Sequence, residues 1–178
     1  MEMNTFIRMI GVAVLPLVSL LSCDDEPAPG PRPAHQTVDV MLQDENGRDL
    51  LDQEQPDAYN PDDIQLYFLI DNQEVLMANV PYIGNPSGIT YHGPEGTYTP
   101  KVCSVSLFLA YDKAIENGRT TAIVKWNKTD ADTIVCEVNP DYLNEIEKIY
   151  LNGEFVWDTR TVSPIYKVAG EPEVIIVK

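Results

Sequence analysis

From Gln36 onward, apolar residues recur at every second position, the period of strands with one buried face. Val38 and Val40 alternate with Asp39 and Met41. Ile64, Leu66, Phe68 and Ile70 share a face, and Asp71-Asn72, residues that tolerate a tight turn, precede Val75 to Ala78. Cys103, Val105, Leu107 and Leu109 define another apolar face. Ala122, Val124 and Trp126 lie on one side of a strand that runs into the turn-rich Asn127 to Asp132. Ile134, Cys136 and Val138 then alternate with Thr133, Val135 and Glu137, and Val174 to Val177 read as a closing strand. The sharpest local signal is Asn152-Gly153 between Ile149-Tyr150-Leu151 and Glu154 to Trp157, because both turn residues accept positive φ. A two-residue turn there pairs Tyr150 with Phe155, Ile149 with Val156 and Lys148 with Trp157. Only Pro140 to Ile146 suits a short helix, with Asn139 as cap and Pro140 in the first position. About eight short strands, Gly/Pro turns and at most one short helix predict an all-β fold, an antiparallel β-sandwich over residues 36–178.

The chain ahead of Gln36 has a different texture. Ile10 to Leu21 is apolar but shorter than the roughly 20 residues of a comfortable membrane span, Pro16 interrupts it, and Arg8 supplies a positive flank. It ends in Leu20-Leu21-Ser22-Cys23 and then turns acidic at Asp24-Asp25-Glu26. This resembles the signal peptide and lipobox of a bacterial lipoprotein. The resemblance implies that residues 1–22 are cleaved and that Cys23 carries a diacylglycerol thioether and an acylated amine. Three acyl chains hold stably where one binds only marginally, at ~0.8 kcal/mol per buried methylene. Cys23-Asp24-Asp25-Glu26 is also similar to the acidic export signal of Bacteroidota lipoproteins. That implies the outer leaflet of the outer membrane, a periplasm-facing domain being the second placement. The remainder of 23–35 includes Pro27-Ala28-Pro29-Gly30-Pro31-Arg32-Pro33, a polyproline II tether reaching roughly 40 Å.

Removing residues 1–22 leaves 156 of 178 residues, enough for one domain with a sizeable core. The formal charge of −16 suits solubility and argues against nucleic acid or an anionic membrane surface as partner. Val38 to Leu51 resembles the opening strand and turn of Bacteroidota extracellular sandwich domains, and Trp126 to Glu137 and Ile149 to Asp158 are similar to segments of small Bacteroides lipoproteins. The resemblance implies an immunoglobulin-like or transthyretin-like sandwich and brings no catalytic motif with it.

Catalytic signals are thin. The sequence holds two histidines, His35 in the tether and His92 in the Gly/Pro-rich stretch Ile83 to Pro100. No nucleophile elbow, zinc-binding helix pair, phosphate loop or Cys-x-x-Cys is present. His92 near Glu95 reads as a solvated loop histidine before it reads as a proton-transfer pair. Asp62-Asp63 offers two acids, but neighbours on a strand point to opposite faces. We therefore expect no enzyme and no cofactor. Asp44, Asn46, Asp49 and Asp52 faintly resemble a calcium loop, yet Arg48 takes an alternate ligand position, so the segment reads as a turn and no metal is expected.

Cys103 and Cys136 can bridge in an oxidising envelope or stay as buried free thiols. Asp132-Thr133-Ile134 is similar to the Bacteroidota O-glycosylation pattern, which makes Thr133 a candidate. Tyr59, Tyr82, Tyr91 and Tyr98 lie in or beside long loops, where a tyrosine either contacts a ligand or closes the loop over the core. Two functions follow. One is a noncatalytic surface module that binds a glycan, or an envelope or host protein, through end loops. The other is a structural or accessory subunit of an outer-membrane, pilus-like or nutrient-uptake complex, favoured by an edge strand free to pair with another chain.

Overall fold

The computed structural model describes residues 35–78, 85–94, 102–164 and 170–178. These form ten strands in two sheets, an all-β sandwich. The first sheet contains β1 (Thr37–Gln43), β4 (Ile89–His92), β5 (Ser104–Phe108) and β10 (Glu173–Val177), in the order β10-β1-β5-β4. The second contains β2 (Gln65–Ile70), β3 (Gln73–Leu76), β6 (Arg119–Lys125), β7 (Ala131–Asn139), β8 (Glu145–Leu151) and β9 (Glu154–Asp158), in the order β3-β2-β6-β7-β8-β9. Every described pair of neighbouring strands is antiparallel except β1 and β10, which run parallel. The closing strand thus exists where expected, but it runs in the same sense as its neighbour, where an antiparallel sandwich predicts the opposite.

The period-two pattern is what builds the core. Val38, Val40 and Leu42 of β1 and Val105 and Leu107 of β5 in one sheet pack with Leu66 and Phe68 of β2 and Ala122 and Val124 of β6 in the other, in one apolar cluster. Trp126 and Trp157 are fully buried within it. Each large side chain so placed contributes on the order of 1.5–3 kcal/mol of transfer free energy.

Turn chemistry fixes the joints. Asp71 and Asn72 both take positive φ, 51° and 59°, and fold β3 back onto β2 as expected. Asn152 and Gly153, at 50° and 87°, do the same between β8 and β9. Tyr150 pairs with Phe155 as predicted, but Ile149 pairs with Trp157 and Lys148 with Asp158. The register shifts between Ile149 and Tyr150, leaving Val156 as the extra residue. Strict alternation would have turned Val156 inward and Trp157 to water. The bulge exchanges them, and the larger side chain takes the core position.

The helix expected over Pro140 to Ile146 does not form. Leu143 and Asn144 adopt positive φ, 51° and 55°, which ends any right-handed turn there, and Glu145 already opens β8. The described helical turns are two single 3₁₀ turns, Pro61–Asp63 and Asp112–Ala114. Asn60 caps the first through its side chain, accepting from the Asp62 N–H. Asp62 and Asp63 therefore sit on a capped turn, not on a strand.

Candidate functional site

The connection from β1 to β2 makes the longest described loop at one end of the sandwich, and its carboxylates hold it together. Asp44 accepts from the backbone N–H groups of Arg48 and Asn46, both at 2.9 Å, and from Arg48 Nε at 3.1 Å. These bonds, led by the Arg48 N–H, hold its carboxyl below the ordinary value. Asp49 accepts from the N–H of Leu51 at 2.9 Å and of Cys103 at 2.8 Å, tying the loop to β5. Asp52 accepts from the Glu54 N–H at 3.0 Å. The segment that faintly resembled a calcium loop spends these oxygens on its own turns and on the Cys103 N–H.

Beside it, a polar clasp joins four parts of the chain. Tyr59 donates its hydroxyl to Asp130 Oδ2 at 2.6 Å. Lys178 Nζ donates to Asp130 at 2.8 Å and to Asp132 Oδ2 at 2.5 Å. Asp132 also accepts from Trp126 Nε1 at 2.6 Å and Asn152 Nδ2 at 2.8 Å. Asn152 in turn accepts from the Thr133 N–H at 2.9 Å. Burial alone pushes the Asp132 carboxyl up, but the bonds from Lys178, Asn152 and Trp126 outweigh it and hold the group below its ordinary value. Burial, followed by the bond to Asp130, pushes the Tyr59 hydroxyl up to about 12. Tyr59 is thus a strut of the end loop, with part of its side chain packed on the core.

Two adjoining clefts open over this scaffold. One, about 520 Å³, is lined by the loop, Tyr59 and Lys178, and the other, about 550 Å³, by Tyr67, Lys125 and Lys128 among others; Asp63 and Asn127 line both. Their walls mix donors and acceptors, with Arg48, Lys125, Lys128 and Lys178 set against Asp44, Asp57, Asp62 and Asp63. The linings of the two clefts thus carry four cations and four carboxylates in a chain at −16.

The remaining expected sites are scattered. Tyr91 lies in β4, not in a loop; it donates to the Leu51 carbonyl at 3.0 Å and lies 3.6 Å from Cys103 Sγ. Burial raises its hydroxyl pKa and leaves it, like Tyr59, packed partly on the core. Cys103 and Cys136 are buried free thiols, one beside β5 and one on β7 of the other sheet. Burial pushes them up to about 11 and about 12, so both stay neutral and unreactive at pH 7. Thr133 lies on the outward side of β7, next to the inward Asp132 and Ile134. Cys23, Asp24, Asp25, Glu26, Tyr82, Tyr98 and Glu95 lie outside the described residues.

His92 ends β4, where sequence reading placed it in a loop, and its Nε2 lies 2.8 Å from Ser106 Oγ. Ser106 donates to Asp39 Oδ1, so three neighbouring strands are linked through one hydroxyl. A serine nucleophile hands its proton to the histidine. Here the hydroxyl proton points to Asp39 and His92 is left to donate, which fastens strands together. A cleft of about 470 Å³ adjoins Ser106 between Thr37, Asn85 and Phe108. Sequence reading missed both the clasp and this chain, because their members are 6 to 71 positions apart and only strand pairing brings them together.

Comparison with known proteins brings no match to a family model, a curated protein or a solved structure.

Proposed function

We propose that the protein is a noncatalytic binding module, held at the outer surface of a bacterial outer membrane by acyl chains on Cys23, that takes a glycan or a protein segment at the loop end of its sandwich. The observation that carries this is the pair of adjoining clefts sharing Asp63 and Asn127, with balanced charge and mixed donors and acceptors. Below them the Tyr59–Asp130–Lys178–Asp132 clasp fixes the scaffold, so little ordering entropy is lost on binding. Loops on a rigid sandwich are a common seat of recognition. The anchor and its location rest on the Leu20-Leu21-Ser22-Cys23 pattern. The test is a glycan array together with a pull-down from native envelopes. A specific sugar or protein hit that weakens in Asp63→Ala supports the reading, and a hit indifferent to Asp63 opposes it.

The second reading, a subunit of an envelope complex, is favoured by the free edges of the sheets. β3 is exposed along its whole length, and β10 exposes Ile175 and Val177 beside an unpaired edge among the described strands. A stoichiometric membrane-protein partner with a blank array selects it.

A further inference from the structure

We infer that the solvent face of the six-stranded sheet is a docking track for an uncharged, linear polysaccharide, entered from the cleft at Tyr67; this rests on the binding-module reading above. Outward positions of a sheet with one solvated face are ordinarily polar. Here strand pairing lines up Leu76, Tyr67 and Ile123 in one cross-strand row, and Val135, Tyr150 and Phe155 in the next. Leu66, Phe68, Ala122, Val124, Ile134, Cys136 and Ile149, the chain neighbours of Tyr67, Ile123, Val135 and Tyr150, are buried, and Leu76 and Phe155 are themselves exposed, so these six face water.

Shape and chemistry decide the occupant. Each row covers three strands, and together they span the six, about 24 Å, while lying only about 7 Å apart; a track of about 170 Å² falls well short of the roughly 800 Å² per partner of a standard protein interface. An extended peptide binds through free backbone groups, which a sheet offers at its edges and not across paired strands. The face offers side chains instead. Glu137 holds Lys148 at 2.6 Å and Arg119 besides, and Glu74 holds Lys125 at 2.7 Å, with Glu147 next to Lys148 in the chain. Three cations against three carboxylates leave no net charge to attract an ionic polymer, while each cation keeps unused N–H donors for hydroxyl groups. At one end Lys125 Nζ stands 4.1 Å over the Tyr67 ring. At the other, Phe155 is 55% exposed and meets Tyr150 edge-on at 5.7 Å, an open ring on which a sugar can stack. Tyr67 and Lys125 also line the end cleft, which joins the track to it.

The test is native affinity electrophoresis of the full chain in detergent through gels containing dextran, mannan or a soluble β-glucan, with polygalacturonate as the charged comparison. The expected result is retardation by at least one neutral polymer, weakened about tenfold in Phe155→Ala and in Tyr150→Ala, variants whose melting curves are checked alongside. Loss in Asp63→Ala with full binding in Phe155→Ala overturns the track and leaves the cleft reading standing. Retardation by polygalacturonate alone, or by none of the polymers, overturns it as well.

Discussion

Strand β7 carries one carboxylate on each side, Asp132 facing the interior and Glu137 facing water, and both are bound by cations and a ring group. Asp132 is buried and is met by Lys178, Trp126 and Asn152. Glu137 lies on the surface between Arg119 and Lys148, with the Tyr150 hydroxyl at 3.2 Å. The hydrogen bonds from Lys148 and Arg119 hold the Glu137 carboxyl down to about 2, and bonds to Asp132 hold its carboxyl down too. Similar chemistry has different consequences on the two sides. Inside, removing a partner leaves the buried Asp132 carboxylate or the Trp126 N–H without its bond, so the clasp belongs to the fold. Outside, water screens every pair, so the ion pairs add little stability and remain available to a ligand.

The contrast can be broken at its strong side first. Asp132→Ala leaves the buried Trp126 Nε1 and Asn152 Nδ2 without this acceptor while Lys178 keeps Asp130, and we expect a loss of about 2–3 kcal/mol in denaturant melts. A loss comparable to that of Glu137→Ala would erase the distinction. Tyr59→Phe removes only a half-buried hydroxyl bonded to a carboxylate and should cost about 1.5 kcal/mol. Because the folded Tyr59 hydroxyl is raised from 10.0 to about 12, the fold holds its proton more tightly than the unfolded chain does. Its contribution is complete below pH 10 and fades as pH rises toward 12; the variant should lack that alkaline slope. Gly153→Ala, at φ +87° with open space around the new methyl, should cost about 1 kcal/mol through backbone strain alone.

The weak side is sharpened by salt and acid together. Both carboxyls are lowered by folding, so each stabilises above its unfolded value, 3.8 for Asp132 and 4.5 for Glu137, and that stability drains as pH falls through the folded values. In 1 M salt the Glu137 part of the acid slope should vanish while the Asp132 part persists. Acid melts of Glu137→Gln and Asp132→Asn at low and high salt separate the two. An unchanged Glu137 contribution in salt would mean that water does not reach that face as described.

Much of this was legible in the chain. Inward positions on β2, β5, β6 and β7 follow from period two, and the turns at Asp71-Asn72 and Asn152-Gly153 follow from residues that accept positive φ. What escaped was decided by contacts distant in sequence. The bulge that swaps Val156 for Trp157 depends on which ring the core needs, and the parallel β1–β10 pair on where the chain returns. Leu143 in a left-handed conformation overrode a run that looked fit for a helix. The clefts were harder still. Tyrosines in loops pointed to the loop end, but Tyr59 and Tyr91 are packed partly on the core, and the exposed chemistry falls to Asp63, Lys128 and Tyr67. Asp63 stood out only as half of an acid pair, and no local pattern marks Lys128 or Tyr67, since each is an ordinary polar or strand position until the sandwich gathers them.

The central claim is that the loop end is a ligand seat on a rigid scaffold. It is tested most directly by titration calorimetry of the strongest array hit against the wild-type chain and Asp63→Ala. The account predicts at least a tenfold weaker Kd for the variant, with its melting temperature unchanged within about 2 °C. Equal affinity in the two proteins would contradict it.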